Sequence, residues 1–329
     1  MLKRLFKVTA IMLACVLLAV MAAAWWYLDA DDVDPPPLPG AVHSGSLEHG
    51  GLTRTWNAYI PDSVSTSPPL FLLLHGSRGS GETFLRSSFY GFNVSAERGG
   101  FIAVYPDGFE MHWNDCRAGA NYTANTRDID DVGFLGRLVQ QMIQEHGVDP
   151  SRVYVAGHSN GGHMAFRMAF EAPELVAGIG AIGANLPVED NLDCERSGKA
   201  VATIIMNGTE DPVNPYAGGL VEVYGDVSRG EVLSAADSAR YWARLAGYRG
   251  DPQHAVWPER APGDDTRVES SRWSGEGRPP VVLVSVLGGG HTLPHPVFRL
   301  PRILGPTSHE FDTAEVIWAF FDGPPFLPY

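Results

Sequence analysis

Gly157-His158-Ser159-Asn160-Gly161 has the spacing G-x-S-x-G. The motif directly follows the apolar run RVYVA and directly precedes the helical pattern HMAFRMAFEA, so it predicts a sharp turn between a strand and a helix. In such a turn small residues flank a strained serine and expose its Oγ. The chemistry indicated is nucleophilic attack by Ser159 on a carbonyl carbon. The alternative is a glycine-rich turn that only packs the helix close to the strand.

A serine hydroxyl is a weak nucleophile, so Ser159 needs a base and an acid that orients the base. We predict that the base is His291, which follows three glycines after an apolar run and is the best placed of the 11 histidines. The predicted acid is Asp211, which follows another apolar run and precedes Pro212, a residue that fixes the turn. Glu210 is the neighbouring alternative.

Acyl transfer also requires hydrogen-bond donors for the oxyanion of the tetrahedral intermediate. The first predicted donor is the backbone N–H of Asn160, the residue after the nucleophile. The second is the backbone N–H of Ser77, in the turn-rich loop 75–81 that follows an early apolar run. This loop lacks the Gly-Lys-Ser/Thr ending of a phosphate-binding P-loop, which argues against ATP.

The histidines do not indicate a metal site. His295 lies four residues after His291, but the intervening Pro294 disfavours a helical pair of ligands. No cysteine or acidic cluster completes a zinc site around them. The expected chemistry therefore needs neither a metal nor an organic cofactor.

The candidate residues lie at the ends of short runs that are apolar on both faces, as in a parallel sheet covered by helices on each side. These runs are 69–76, 101–108, 152–159, 176–184, 201–208 and 281–291, and 52–60 alternates like a half-buried strand. Helical patterns occupy 132–143, 164–169, 235–245 and 316–321, the last opened by the capping pair Asp312 and Glu315. The alternation predicts a single α/β domain with a mostly parallel central sheet.

Composition excludes several classes of protein. The chain has 329 residues, 44% of them hydrophobic and 19% charged, which suffices for a full buried core. Its formal net charge is −14, and the first 28 residues hold three of the 24 cations and no acid, so the remainder is more acidic still. Nucleic-acid phosphates would repel such a surface, and nucleic acid is therefore not an expected partner.

The N-terminus predicts export. After the basic stretch MLKRLFK, residues 8–28 carry no charge, so residues 1–28 form either a signal peptide or an uncleaved membrane anchor. Alanines at 22 and 24 favour cleavage, whereas the aromatic residues 25–27 suit an anchor. Lipidation at Cys15 is a third, less favoured interpretation.

The following residues 29–42 are acidic and rich in proline, and they predict an extended spacer before a catalytic domain at 43–329.

Six motifs together resemble the polyhydroxybutyrate depolymerase-like esterases, which are related to the feruloyl and acetylxylan esterases of carbohydrate esterase family 1. The resemblance covers roughly residues 45–325 and rests on LLLHG at 72–76, WNDC at 113–116, DDVGFL at 130–135, GVDPSRVYVAGHSNGG at 147–162, NGTEDPVNPY at 207–216 and GGGHTLP at 288–294. It implies an α/β-hydrolase fold, a triad of Ser159, Asp211 and His291, and hydrolysis of carboxylic esters outside the cytoplasm. The sequence HTLPHP differs from the more usual His-Thr-Trp-Pro-Gly of these esterases.

Other residues near these motifs have expected roles. In an exported protein Cys116 and Cys194 are expected to form a disulfide, the alternative being two buried thiols. Trp113 and Asn114 are candidates for the substrate cleft, or for packing. The acids at 130 and 131 are expected to cap the following helix, or else to orient an active-site loop.

The sequence thus predicts an exported serine esterase that acts on short-chain hydroxyalkanoate oligomers or related esters. The first alternative is a feruloyl or acetylxylan esterase. A non-catalytic envelope protein that retains the fold is the second alternative, and a peptidase or acyltransferase of the same fold is a third.

Overall fold

The apolar runs of the sequence form the centre of a ten-stranded sheet in this computed structural model, which describes residues 2–322. The strand order is β1-β2-β4-β3-β5-β6-β7-β12-β11-β10, and the six strands from β4 to β12 run parallel. Antiparallel strands flank them on both sides, and β8 and β9 form a separate two-stranded sheet. The strands are β1 (Ala41–His49), β2 (Leu52–Ile60), β3 (Leu70–Leu74), β4 (Ile102–Pro106), β5 (Val153–His158), β6 (Gly178–Ile182), β7 (Ala202–Gly208), β8 (Gly219–Leu220), β9 (Glu231–Val232), β10 (Gln253–Val256), β11 (Arg267–Gly275) and β12 (Arg278–Leu287).

Residues 2–322 form eight α-helices, six of which cover the two faces of the sheet. They are α1 (Leu2–Leu28), α2 (Gly81–Ser87), α3 (Gly91–Gly99), α4 (Thr123–Thr126), α5 (Asp131–His146), α6 (Asn160–Glu171), α7 (Ala235–Leu245) and α8 (Thr313–Phe321). Side chains of α5, α6 and α7 build one buried core, for example Phe134, Phe166 and Trp242. Side chains of α2, α3 and α8 build the other. The central strands are therefore buried on both faces, which explains their continuous apolar sequence.

The predicted α/β fold is confirmed, and each predicted strand and helix is present. Asp312 caps α8 by accepting hydrogen bonds from the N–H groups of Ala314 and Glu315. The edge strands β1 and β10, the strand β11 beside β10, and the short helices α2 and α3 did not stand out in the sequence. Because all six parallel strands end at the same edge, that edge collects the loops that follow β3, β5, β7 and β12.

The N-terminal helix α1 projects from the body, and its apolar side chains from Phe6 to Leu28 are exposed. Its segment Phe6–Leu28 is long and apolar enough to cross a membrane, and a signal sequence has the same character. The residues after it have no regular structure up to β1, but they contact the body. Arg299 pairs with the carboxylates of Asp29 and Asp31, and Arg86 pairs with that of Asp32.

Candidate active site

Ser159 lies at the sharp turn between β5 and α6. Its backbone has φ 56° and ψ −120°, a conformation that a non-glycine residue rarely adopts. The Ser159 N–H donates to the Ile182 carbonyl at 2.8 Å, which ties the turn to the next strand. A Cβ on Gly161 would lie 2.2 Å from the Leu74 carbonyl oxygen, so only glycine permits the close approach of α6 to β3. The G-x-S-x-G spacing thus has a packing reason and a conformational one.

His291 and Asp211 form a buried pair at the same edge of the sheet. The His291 Nδ1 and the Asp211 Oδ2 are 2.7 Å apart, and both side chains are almost fully buried. The other oxygen, Oδ1, accepts hydrogen bonds from the N–H groups of Val213 and Asn214 at 2.7 and 2.8 Å. Three donors therefore fix the carboxylate of Asp211. Glu210 has an exposed side chain and does not contact His291.

A second imidazole packs against His291. The rings of His158 and His291 have centroids 4.6 Å apart. Burial, followed by the neighbouring His291, lowers the pKa of His158 well below its usual range. Gly183 lies beside both rings, and a Cβ there would be 3.0 Å from His291 Cε1 and Nδ1. Sequence reasoning missed His158 as a neighbour of the base because the x position of the motif carries no fixed role.

The loop after β3 is held by His75. The N–H of Gly108 donates to the Nε2 of His75 at 2.9 Å, so Nδ1 carries the hydrogen and donates to the Gly76 carbonyl at 2.7 Å. Burial lowers the pKa of His75 to about 4, which keeps the ring neutral at neutral pH. In a trans peptide the C=O and the next N–H point in opposite directions. The Ser77 N–H therefore points away from His75. Gly76 lies against Ser159, because a Cβ added at Gly76 would be 3.3 Å from the Ser159 Cβ.

The side chain of Asn160 is clamped by the WNDC loop. Its Oδ1 accepts from the Trp113 N–H, and its Nδ2 donates to the Trp113 carbonyl and to the Asp115 carboxylate at 2.6 Å. Asp115 is itself paired with Arg117 in a fully buried contact. Burial raises the pKa of Asp115, but the Arg117 charge outweighs this and the net shift is downward. The start of α6, including the Asn160 N–H, is thereby fixed in position.

Trp113 and Asn114 lie outside the substrate cavity, in contrast to the prediction that they line the cleft. Trp113 is fully buried and donates its indole N–H to the His75 carbonyl at 3.0 Å. Asn114 is buried and binds the loop before α5 through its Nδ2. Both residues support the loop after β3 and the turn of Ser159 from behind. A tryptophan in a loop gives no sequence signal that separates these two roles.

The acids at 130 and 131 have different roles. Asp130 caps α5 by accepting from the Gly133 N–H at 2.8 Å, as predicted. Asp131 instead pairs with the buried Arg54 and accepts from the Asn114 N–H at 2.7 Å. Burial raises the pKa of Asp131 despite the Arg54 charge. This residue therefore orients the WNDC loop, which was the second interpretation of the acidic pair.

Cys116 and Cys194 form the expected disulfide, with their Cα atoms 5.1 Å apart. The bond links the WNDC loop to the segment after β6, so it stabilises the loop that clamps Asn160. Cys15, on α1, is free and exposed.

A cavity of about 580 Å³ opens beside Ser159. Ser159, His291 and Ser77 line it. Arg78, Arg117, Arg229 and His112 also line it, together with the apolar residues Val221, Val223, Leu300 and Ile303. Among residues 2–322 no group of three His, Cys, Asp or Glu side chains is arranged to hold a metal ion.

One family model, several curated relatives and a solved structure are similar to this chain. The family described as Esterase PHB depolymerase matches residues 55–240. The esterase NocK of Nocardia uniformis subsp. tsuyamanensis is 27% identical over 93% of this chain and 96% of its own length. The poly(3-hydroxybutyrate) depolymerase of Ralstonia pickettii is 33% identical over 41% of this chain, and the acetylxylan esterase of Coprinopsis cinerea is 31% identical over 50%.

The matches to the last two relatives span only 29% and 40% of those proteins. Among solved structures, the acetyl xylan esterase from Aspergillus awamori superposes with a TM-score of 0.55 at 18% identity, covering 78% of this chain and 96% of that one. This structural likeness supports the α/β fold.

Proposed function

The chain belongs to the esterase PHB depolymerase family and is a carboxylic ester hydrolase, and from this premise we propose that it works through a covalent acyl-enzyme on Ser159. The observation that carries the proposal is the buried Asp211–His291 pair beside a serine in a strained turn, at the mouth of one cavity. The proposed substrates are short-chain hydroxyalkanoate oligomers or related esters.

In the first half-reaction His291 acts as the base. Its Nδ1 hydrogen is donated to Asp211, which leaves the Nε2 lone pair to take the proton of the Ser159 hydroxyl. The serine oxygen then attacks the ester carbonyl carbon, and the backbone N–H groups of Ser77 and Asn160 stabilise the oxyanion. The tetrahedral intermediate collapses when His291 returns the proton to the leaving alcohol, and the acyl group stays on Ser159.

In the second half-reaction water takes the place of the alcohol. His291 removes a proton from the water as it attacks the acyl carbon, and the same donors stabilise the second oxyanion. The proton then passes to the Ser159 oxygen as the acid leaves. Asp211 keeps one imidazole tautomer throughout and stabilises the imidazolium.

We also propose that the protein is exported. The apolar helix α1 at the N-terminus has the character of a signal peptide, and the disulfide suits an oxidising compartment. The alternative is that α1 remains as an anchor and holds the catalytic domain at the membrane surface.

A feruloyl or acetylxylan esterase activity is the second candidate. It is favoured by the relatives of those names, which include feruloyl esterase B of Piromyces equi. The two candidates differ in the acyl group: hydroxyalkanoate, or the ferulate and acetate of a polysaccharide ester.

The test is a panel of esters assayed with the wild type and with Ser159→Ala. The panel contains hydroxybutyrate oligomers, methyl ferulate, an acetylated xylan oligomer, and nitrophenyl esters from acetyl to octanoyl. The proposal predicts fastest turnover of the hydroxybutyrate oligomers and a loss of up to about 10⁶-fold in the variant. Faster turnover of the ferulate or acetate ester would move the assignment to the second candidate.

A further inference from the structure

Tyr122 lies in the active-site cavity next to the oxyanion loop. Its Oη accepts a hydrogen bond from the Ser77 Oγ at 2.8 Å and a second from the Arg229 Nε at 2.8 Å. The phenol oxygen thus already accepts two hydrogen bonds. Its own hydrogen has no acceptor among the residues that the structure describes, so this O–H is available to a molecule in the cavity.

Two arginines lie beside the ring of Tyr122. The guanidinium groups of Arg229 and Arg117 lie 5.3 and 5.9 Å from the centroid of the Tyr122 ring. The Arg117 charge is neutralised by Asp115, with two contacts at 2.5 and 3.0 Å. Arg229 uses its Nη1 on Asp226 at 3.1 Å, and its Nη2 has no acceptor in the described part of the chain. Arg229 therefore still has donors to offer.

Arg78 supplies a charge that no acid of the described residues pairs with. Its side chain is exposed, and it has no ion pair within residues 2–322. Arg78 and Arg229 both lie near His112, whose ring stacks on Tyr122 with centroids 4.3 Å apart. Burial, and after it these two arginines, lowers the pKa of His112.

We propose that Arg78, Tyr122 and Arg229, here called the basic end of the cavity, bind a carboxylate of the ester substrate. A carboxylate accepts from the Tyr122 O–H, the free Arg229 Nη2 and the Arg78 guanidinium, which together match its two oxygens. The inference deepens the proposed function, on which it rests, by specifying that the preferred esters carry one negative charge. Hydroxyalkanoate oligomers have such a carboxylate at one end.

The charge of the whole molecule makes the basic end more specific. Because the protein has far more acidic than basic residues, its surface repels anions in general. A carboxylate ester therefore binds better than a neutral ester only where local hydrogen-bond donors outweigh this repulsion. Glu222 also lines the cavity and is exposed; its N–H bonds to the Val213 carbonyl, on the loop that carries Asp211. It lies on a different loop from Arg78.

The test compares esters that differ only in a carboxylate. For the acyl side the pair is 4-nitrophenyl butyrate and mono-4-nitrophenyl succinate; for the alcohol side it is the hydroxybutyrate dimer and its methyl ester. Because a hydrogen bond to a charged group contributes about 1.5 to 3 kcal/mol, the wild type should prefer the anionic member of one pair by about 10-fold or more in kcat/KM. Whichever pair shows the preference tells which side of the ester carries the carboxylate.

The variants Arg229→Gln and Arg78→Gln should each lower this preference, and Arg229→Gln should lower it at least about 10-fold. In both variants kcat/KM for the anionic ester should fall by a larger factor than kcat/KM for its neutral partner, a difference that a merely structural role of either arginine would not give. Arg240→Gln, which removes an exposed charge on α7, is the matched control and should leave the preference unchanged. Because Arg229 is buried and its variant could misfold, the exposed Arg78 provides an independent test.

Equal rates for the anionic and neutral members of both pairs would overturn the inference and leave ester hydrolysis intact. An anionic preference that survives in both arginine variants would overturn it as well. No turnover of any ester by the folded wild type would overturn the proposed function and this inference together.

Discussion

The rings of His158 and His291 pack against each other with centroids 4.6 Å apart, directly behind the nucleophile turn. Because burial and the proximity of His291 hold the pKa of His158 well below its usual range, this second imidazole is neutral at neutral pH. It supports the face of His291 without adding a positive charge that would disfavour the imidazolium.

The pH profile of activity tests this relationship. Because His158 is already neutral, it adds no deprotonation on the acidic side, so log kcat/KM should rise toward neutral pH with a slope no greater than one. The measurement is kcat/KM for a neutral nitrophenyl ester across the acidic range in which the protein remains folded. A slope approaching two would mean that both imidazoles must lose a proton.

The identity of the orienting acid is tested by two neighbouring substitutions. Asp211→Asn should lower kcat by about 10⁴-fold, because the amide no longer enforces the His291 tautomer. Glu210→Gln should keep kcat within about threefold, since the Glu210 side chain is exposed and does not contact His291. The reverse order of effects would assign the role to Glu210.

Asp312 makes stability depend on pH. Burial, with a contribution from the Glu315 charge, raises the pKa of Asp312 from 3.8 to about 6, although the hydrogen bonds to the α8 N–H groups act against this. The folded state thus holds the proton more tightly than the unfolded state. The resulting stabilisation is complete below pH 3.8 and is lost as the pH rises through about 6. His295, 3.5 Å away, brings no compensating charge at neutral pH because burial lowers its pKa to about 4.

Asp312→Asn removes this titration and keeps a good helix cap. Its Tm relative to the wild type should therefore rise as the pH increases from 4 to 7, with a change in the free energy of unfolding of at most about 3 kcal/mol. Thermal unfolding of both proteins at pH 4, 5, 6 and 7 provides the measurement. A Tm difference that stays constant over this range would contradict the raised pKa.

The disulfide links residues 78 apart, and its loss should lower the free energy of unfolding by about 2 to 5 kcal/mol. The measurement is urea unfolding of Cys116→Ala/Cys194→Ala beside the wild type. Cys15→Ser is the control, because this cysteine is free and exposed. Since the disulfide holds the loop that clamps Asn160, kcat should fall along with stability. Unchanged stability in the double variant would contradict the account of this loop.

The sequence predicted the parallel centre of the sheet because strands buried on both faces are apolar throughout. It did not reveal β1, whose residues are mostly exposed or half-buried, because an edge strand has no buried face to impose a pattern. Ser159 stood out because its turn is encoded locally by two glycines. The contacts of His75 and His158 depend on loops that are distant in sequence, so no spacing revealed them.

The central claim is that Ser159 is the residue that becomes acylated. The most direct measurement is to treat the folded wild type and Ser159→Ala with a fluorophosphonate and to locate the adduct by mass spectrometry of peptides. We predict one adduct on the wild type, on the peptide that contains Ser159, with a parallel loss of ester hydrolysis, and none on the variant. An adduct on another serine, or full hydrolysis by Ser159→Ala, would contradict the account.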